Sequence, residues 1–309
     1  MQFKSIGVVG YGEVGKIFSA GLKAPSAAAQ VNAWDLKFLV ASHQARELAH
    51  AAQAGVRASM SMQALCGSSD LLISAVTASN TLAVAQDAAK HIRPGTVFLD
   101  LNSASPGTKQ QCAALIEARA ADYVEAGVMT SVPPYGIKTP MLLGGAKAAA
   151  LAPLLVSWGM DVKAVSDEIG VASAIKMCRS VMIKGLEALV IESYTTARAY
   201  GVEAHVLPTL TETFPSIDWE KTGAYFFSRV VQHGQRRAEE MREAANTVKE
   251  VGFEPLMSAA IADKQQWVAN LAKQGVFDGV AQNLNTAATW QDYADQLLKT
   301  IETGKNRSF

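Results

Sequence analysis

Five polar residues in the run GVASAIKMCRSVMIKGLEALVIESY recur at helical spacing: Ser173, Lys176, Ser180, Lys184 and Glu187. At about 100° per residue they share one narrow sector of a helical wheel. Ile, Val, Met, Leu and Ala fill most of the remaining circumference. A helix apolar on most sides is expected to be buried on most sides. A lysine there is either paired or poised, with a lowered pKa, to act as a general base. Lys176 and Ser180 stand one turn apart, about 6 Å along the axis. Lys184 is a further turn away, and Glu187 is too distant to pair with Lys176. A solvated Lys–Glu stripe is the plainer reading of the same pattern.

A second pattern lies at the N-terminus, in IGVVGYGEVG, residues 6–15. Gly10-x-Gly12-x-x-Gly15 follows an apolar strand pattern and opens a helical one. In that context the first glycine permits a tight turn, and the second lets a pyrophosphate approach the backbone. The third lets the helix pack closely on the strand. The N–H groups of Gly10, Tyr11, Gly12, Glu13, Val14 and Gly15, together with the helix dipole, then favour phosphate. A plain glycine turn is the alternative. The next strand ends in NAWD. Asp35 follows Gly15 by about 20 residues, where a carboxylate bonds both adenosine ribose hydroxyls and repels a 2′-phosphate. NAD is therefore the expected cofactor. Lys37, which suits a 2′-phosphate, leaves NADP open, and Asp35 also reads as a strand-end turn residue.

These two patterns need elements to hold them. The chain has 309 residues, enough for two domains. Apolar residues make up 49% and charged residues 18%, which fits a soluble globular protein rather than a disordered one. Lys plus Arg and Asp plus Glu are 28 each, so no overall charge draws nucleic acid or an anionic membrane. A small molecule held by local charge is the expected partner. No leader and no bilayer-spanning run stands out. Cys66, Cys112 and Cys178 show neither metal nor disulfide spacing, which points to a reducing cytoplasm and no metal.

Candidate strands are Ile6–Val9, Val31–Trp34, Leu71–Val76, Val97–Leu101, Tyr123–Ala126 and Met141–Gly144. Helical patterns Val14–Leu22, Gln44–Ala54, Leu82–His91 and Gly107–Ala120 alternate with them. Such alternation predicts a doubly wound, Rossmann-like parallel sheet with helices on both faces. Strand signals vanish from Gly170 onward, and an all-helical half follows. Its first helix runs from about Val171 to Tyr200, and HVLPTLTETFPSIDW and LAKQGVFDG read as loops. The expected domains are residues 1–165, binding the dinucleotide, and 166–309, for substrate and dimerisation.

At GYGEVG, DLNSASP, VEAGVMTSVPPYG and GVASAIKMCRS the sequence resembles the β-hydroxyacid dehydrogenase superfamily, which includes 3-hydroxyisobutyrate and 6-phosphogluconate dehydrogenases. The likeness spans nearly the whole chain, and ETFPSIDW and RVVQHGQRRAEEM mark a little-characterised branch. The resemblance implies that Asn102 and Ser103 lie near the nicotinamide, with Val76 and Thr77 near its ribose. It implies Lys176 as general base on a substrate hydroxyl, with Ser180 in place of the family's asparagine. Where the family has Ser-Gly-Gly, this chain has Met129, Thr130 and Ser131, so carboxylate binding falls to the Thr130 and Ser131 hydroxyls. The family's C-terminal Lys-Asp pair has no clean counterpart. His233, Arg236 and Arg237 are the cations in its neighbourhood, or else a basic surface patch. Ile183 replaces the acidic glutamate of 6-phosphogluconate dehydrogenases, which argues against that substrate and against decarboxylation. The implied activity is NAD-dependent oxidation of a small 3-hydroxy acid by a homodimer joined through its helical halves. An imine or keto-acid reductase, or a non-catalytic NAD(H)-binding protein, are the competing readings.

Overall fold

Short apolar strands, each too small to be stable alone, combine into one sheet. The computed structural model describes residues 2–23, 30–280 and 288–302. The chain divides into two compact units, 1–178 and 179–309. In the first, strands β1 (Ser5–Val9), β2 (Gln30–Trp34), β3 (Arg57–Ala58), β4 (Leu71–Ser74), β5 (Val97–Asp100), β6 (Asp122–Val128), β7 (Met141–Gly144) and β8 (Val162–Ser166) line up as β3-β2-β1-β4-β5-β6-β7-β8. Ile6–Val9 and Leu71–Ser74 are buried throughout, as parallel strands covered on both faces must be. Helices α1 (Glu13–Gly21), α2 (Ala41–Gln53), α3 (Met62–Gly67), α4 (Thr81–Ala88), α5 (Pro106–Glu117) and α6 (Ala148–Ser157) lie between the strands in sequence. The strand order reverses between β1 and β4, which opens a crevice at their carboxyl ends.

Two features differ from the sequence expectation. The sheet is not wholly parallel: β6 and β7 pair antiparallel, with Val128 opposite Met141. Their connection, MTSVPPYGIKTP, contains three prolines and only a short 3-10 turn, not a crossover helix, so the chain doubles back. Strands β3 and β8 were also outside the expected set. One has only two residues, and the other reads V-K-A-V-S, half-buried and weakly patterned.

Helix α7 (Val171–Tyr200) is a single 30-residue helix, as its sequence suggests. The division between units falls within it. The second unit continues with α8 (Glu203–Thr213), α9 (Trp219–Glu250), α10 (Leu256–Lys273) and α11 (Trp290–Glu302). Its core gathers Tyr194, Phe227, Val230, Trp290 and Tyr293, with Tyr194 edge-on to Trp290 at 4.8 Å between centroids. The expected loop over HVLPTLTETF is corrected here, because residues 205–213 are helical despite Pro208. The proline lies on an exposed face, where water meets the carbonyl that loses its donor.

On α7 the polar sector turns inward. Ser173, Ser180, Lys184 and Glu187 are buried, so the stripe is not solvated. The expectation of burial on most sides fails on the other face, where Ile175, Met182 and Leu189 are exposed.

Candidate active site

The glycine loop sits at the carboxyl end of β1, beside the crevice. Gly10 has φ +90°, a conformation costly for any side chain, and its N–H bonds Trp34 O at 2.8 Å. A Cβ at Gly15 would strike the Gly10 carbonyl oxygen. Gly12 differs from both. Its φ of −81° suits any residue, and a Cβ there would meet no protein atom within 4 Å. The fold therefore does not require glycine at this position, whereas a phosphate lying against the backbone does. Lys16 is the first residue of α1 whose N–H reaches a helical partner, Gly12 O at 2.9 Å. The amides of Gly12, Glu13, Val14 and Gly15 precede it and have no intrahelical acceptor. This is a cradle for an anion, and it fits a pyrophosphate. Gly12→Ala should still fold, at a cost of about 1 kcal/mol because alanine is a poorer N-cap than glycine, yet bind NADH at least about tenfold more weakly. Fluorescence titration beside urea denaturation checks this; unchanged affinity would place the phosphate elsewhere.

Asp35 ends β2 and tethers that loop. Its Oδ2 accepts Tyr11 N–H at 2.7 Å, and its Oδ1 accepts Lys37 N–H at 2.8 Å. It is thus a turn residue and also stands beside the cradle. The Tyr11 hydroxyl lies 3.0 Å from His50 Nδ1, and burial pushes its pKa up. Below it, Glu47 on α2 is buried and takes Lys16 of α1 at 2.6 Å and Arg46 at 2.9 Å. The Lys16 hydrogen bond, aided by Arg46, holds the Glu47 carboxyl below its ordinary range despite burial. Ionised Glu47 therefore stabilises the fold above its unfolded pKa, and that contribution is lost as pH falls through the lowered folded value. The stability gap between wild type and Glu47→Gln should be full above about pH 5 and shrink steadily toward pH 3. Denaturation curves showing a constant gap would contradict this.

The loops after β4 and β5 are locked together. Asn102 Oδ1 accepts Val76 N–H at 2.7 Å, and its Nδ2 donates to Ser74 Oγ at 2.9 Å. Beneath it, Asp100 Oδ1 accepts Asn102 N–H at 2.8 Å and lies 3.0 Å from Lys109 Nζ. Its Oδ2 accepts the Tyr123 hydroxyl at 2.5 Å. Asp100, Lys109 and Tyr123 are all at most 1% exposed. Burial, reinforced by the Asp100 charge, raises the Tyr123 pKa well above its ordinary value, which keeps it a donor. Sequence reading missed this trio. The available signal was a charge closing the apolar run TVFLD, with a lysine on the helix that follows.

Ser103, next in that loop, accepts a hydrogen bond from Lys176 Nζ. Lys176 is placed by the start of α7. Glu125 on β6 is fully buried, and its Oε1 accepts Gly170 N–H at 2.7 Å and Ala172 N–H at 3.0 Å. The Ser173 hydroxyl donates to its Oε2. A carboxylate thus caps the positive end of a 30-residue helix. Gly127, two residues along β6, lets that helix close in. A Cβ there would stand 2.9 Å from Ala172 O and 3.6 Å from Lys176 Cβ. Glu125 was also missed, although a glutamate inside YVEAGV is the kind of buried charge that demands partners.

Of the remaining candidates, Val76 is tied to Asn102 through its N–H. Val76 leads the turn after β4, and Thr77 accepts from Asn80 Nδ2 at 2.8 Å. Thr130 is exposed and Ser131 half-buried on the β6–β7 connection. In the helical unit, Ser180 Oγ accepts from Lys184 Nζ at 3.2 Å, and Lys184 pairs with Glu240 at 2.9 Å. Arg237 is buried with its guanidinium paired to Glu187, while His233 is half-buried one turn earlier on α9. Among the described residues no group of three or more His, Cys, Asp or Glu could hold a metal, and no helix is long and apolar enough to cross a membrane.

Strand order, glycine cradle and tethering aspartate define a dinucleotide-binding α/β unit, here followed by an all-helical one. Residues 5–170 match the model of the NAD-binding domain of 6-phosphogluconate dehydrogenase, and the chain belongs to that NAD-binding family of oxidoreductases. Residues 197–268 match a domain of unknown function, DUF1932. A conserved hypothetical protein from Sinorhizobium meliloti is 34% identical, with 96% of this chain and 97% of that one covered and a TM-score of 0.74. The conserved protein MTH1747, described as structurally similar to 3-hydroxyacid dehydrogenases, is 28% identical over 87% of this chain and 99% of its own, at TM-score 0.65. The 3-hydroxyisobutyrate dehydrogenase of Mycobacterium tuberculosis, solved with L-serine, shares the fold at 16% identity, covering 96% and 99%, at TM-score 0.67.

Proposed function

We propose that this protein is an NAD-dependent dehydrogenase of a small 3-hydroxy acid, with Lys176 as its acid–base group. The observation carrying this reading is the Lys176–Ser103 hydrogen bond, which puts an amine on the loop fixed to the β4 turn. A bound nicotinamide supplies the hydride acceptor. The chain handles the proton: neutral Lys176 Nζ takes it from the substrate hydroxyl as the carbonyl forms, and returns it in the reverse direction. Ser103 Oγ orients the amine. The Thr130 and Ser131 hydroxyls are the proposed carboxylate ligands. Arg237 is left out of the reading because Glu187 already takes its charge. Assay of a hydroxy-acid panel at the NADH absorbance band tests the activity, and a panel inert with both NAD and NADP would overturn it.

Cofactor preference follows from Asp35. Wild type should bind NAD at least about tenfold more tightly than NADP, through repulsion of the 2′-phosphate, and Asp35→Ser should narrow the ratio. Tighter NADP binding by wild type would mean that the Lys37 side chain faces the phosphate. A homodimer also belongs to this reading, since Ile175, Met182 and Leu189 leave an apolar stripe open on α7. Light scattering that shows a monomer at micromolar concentration would remove it.

A further inference from the structure

Asp100, Lys109 and Tyr123 take no part in the proposed chemistry, yet all three are buried around one carboxylate. Asp100 ends β5, Lys109 comes from α5 and Tyr123 from β6. Asp100 Oδ2 accepts the Tyr123 hydroxyl at 2.5 Å, and its Oδ1 lies 3.0 Å from Lys109 Nζ. Lys109 Nζ also donates to the Asp100 carbonyl at 3.1 Å. Donors from two elements thus fix the plane of the carboxylate. A buried ion pair rarely gives more stability than well-packed apolar residues of the same volume, so stability alone does not explain the trio. What a fixed carboxylate supplies is direction.

The third donor it takes is Asn102 N–H, at 2.8 Å. Asn102 is itself buried and holds the turn after β4, through Val76 N–H at 2.7 Å and Ser74 Oγ at 2.9 Å. That turn presses on the glycine loop: a Cβ at Gly10 would stand 2.5 Å from Ala75 O and 2.8 Å from Val76 Cγ1. One chain of contacts therefore runs from the trio through Asn102 to the edge of the phosphate cradle. Strand order shows where it would matter. With a pyrophosphate at Gly12 and the adenosine ribose toward β2, the other half of a dinucleotide crosses toward β4 and β5. The loops after those two strands are the ones that Asn102 ties together.

We propose that, given the dinucleotide-binding reading on which this rests, Asp100, Lys109 and Tyr123 are positioning residues for the nicotinamide half of the cofactor and act through Asn102. Which substrate is oxidised, and whether Lys176 is the base, do not enter.

Tyr123→Phe tests this, because the ring and its stacking on Phe98 stay while the donor to Asp100 goes. NADH and ADP-ribose are the two probes, titrated into the full chain by calorimetry. Wild type should bind NADH at least about tenfold more tightly than ADP-ribose, which lacks the nicotinamide. Tyr123→Phe should weaken NADH by about five- to tenfold and leave ADP-ribose at the wild-type value. A trio that only holds the fold together would move both probes alike, or neither. Lys109→Gln, which removes the cation beside Asp100, should show the same split and serves if Tyr123→Phe folds poorly. Asn102→Ala already frees the turn, so adding Tyr123→Phe to it should cost NADH no further affinity. Equal wild-type affinities, a loss shared by both probes, no loss at all, or losses that add in the double variant overturn the proposal. All of these are binding constants, so they are read apart from the hydroxy-acid assay.

Discussion

Lys176→Ala should lower turnover by about 10²–10⁴-fold, the usual worth of a positioned acid–base group. NADH affinity should be nearly unchanged, because the glycine cradle and Asp35 do not involve this side chain. Lys176→Arg should be almost as damaging, since a guanidinium does not release its proton near neutral pH. The serine one turn on gives an internal comparison. Ser180 is buried and accepts from Lys184, so Ser180→Ala removes an acceptor of a charged donor and should cost about 1.5–3 kcal/mol at most. Single-turnover kinetics on one identified substrate, with cofactor titration alongside, separates these effects. If Lys176→Ala keeps near wild-type turnover, the base is elsewhere and the proposed mechanism is wrong.

The second large effect belongs to Glu125. Glu125→Ala leaves the Gly170 and Ala172 amides and the Ser173 hydroxyl facing a cavity in place of a carboxylate. Orphaned buried donors of this kind should lower stability by about 3–5 kcal/mol in total. Glu125→Gln keeps the volume and one acceptor oxygen but removes the charge at the helix end. It should cost roughly 1–2 kcal/mol and lower kcat while leaving the NADH dissociation constant in place. Urea denaturation reads the first quantity and kinetics the second. If Glu125→Gln matches wild type in both, the buried carboxylate is incidental to the placement of Lys176.

Much of the first unit could be read from sequence, because its strands are short, apolar and separated by helix-forming runs. Both termini of β7 and α7 were legible in this way. What sequence could not provide was pairing direction: MLLG looks the same whether it runs with β6 or against it. Pro208 misled for a related reason, since proline's cost depends on whether the freed carbonyl faces water. The glycine loop and Asp35 were legible because their spacing reflects a backbone requirement. Glu125, Asp100 and Lys109 were not, because a buried charge is recognised by its partners, and apart from the Asn102 N–H those lie 9 to 48 residues away in sequence.

Asp35 has an evolutionary consequence. One carboxylate fastens the glycine loop through Tyr11 and, in the function proposed above, also faces the position that separates the two cofactors. A lineage drifting toward NADP must discard the charge, and with it the loop's anchor. Single substitutions at this position therefore lead into a fitness valley, where the new cofactor is admitted by a loosened cradle. Asp35→Asn, which keeps one oxygen for an N–H, is the shallowest crossing. A second change must restore the lost tether before the new preference becomes useful.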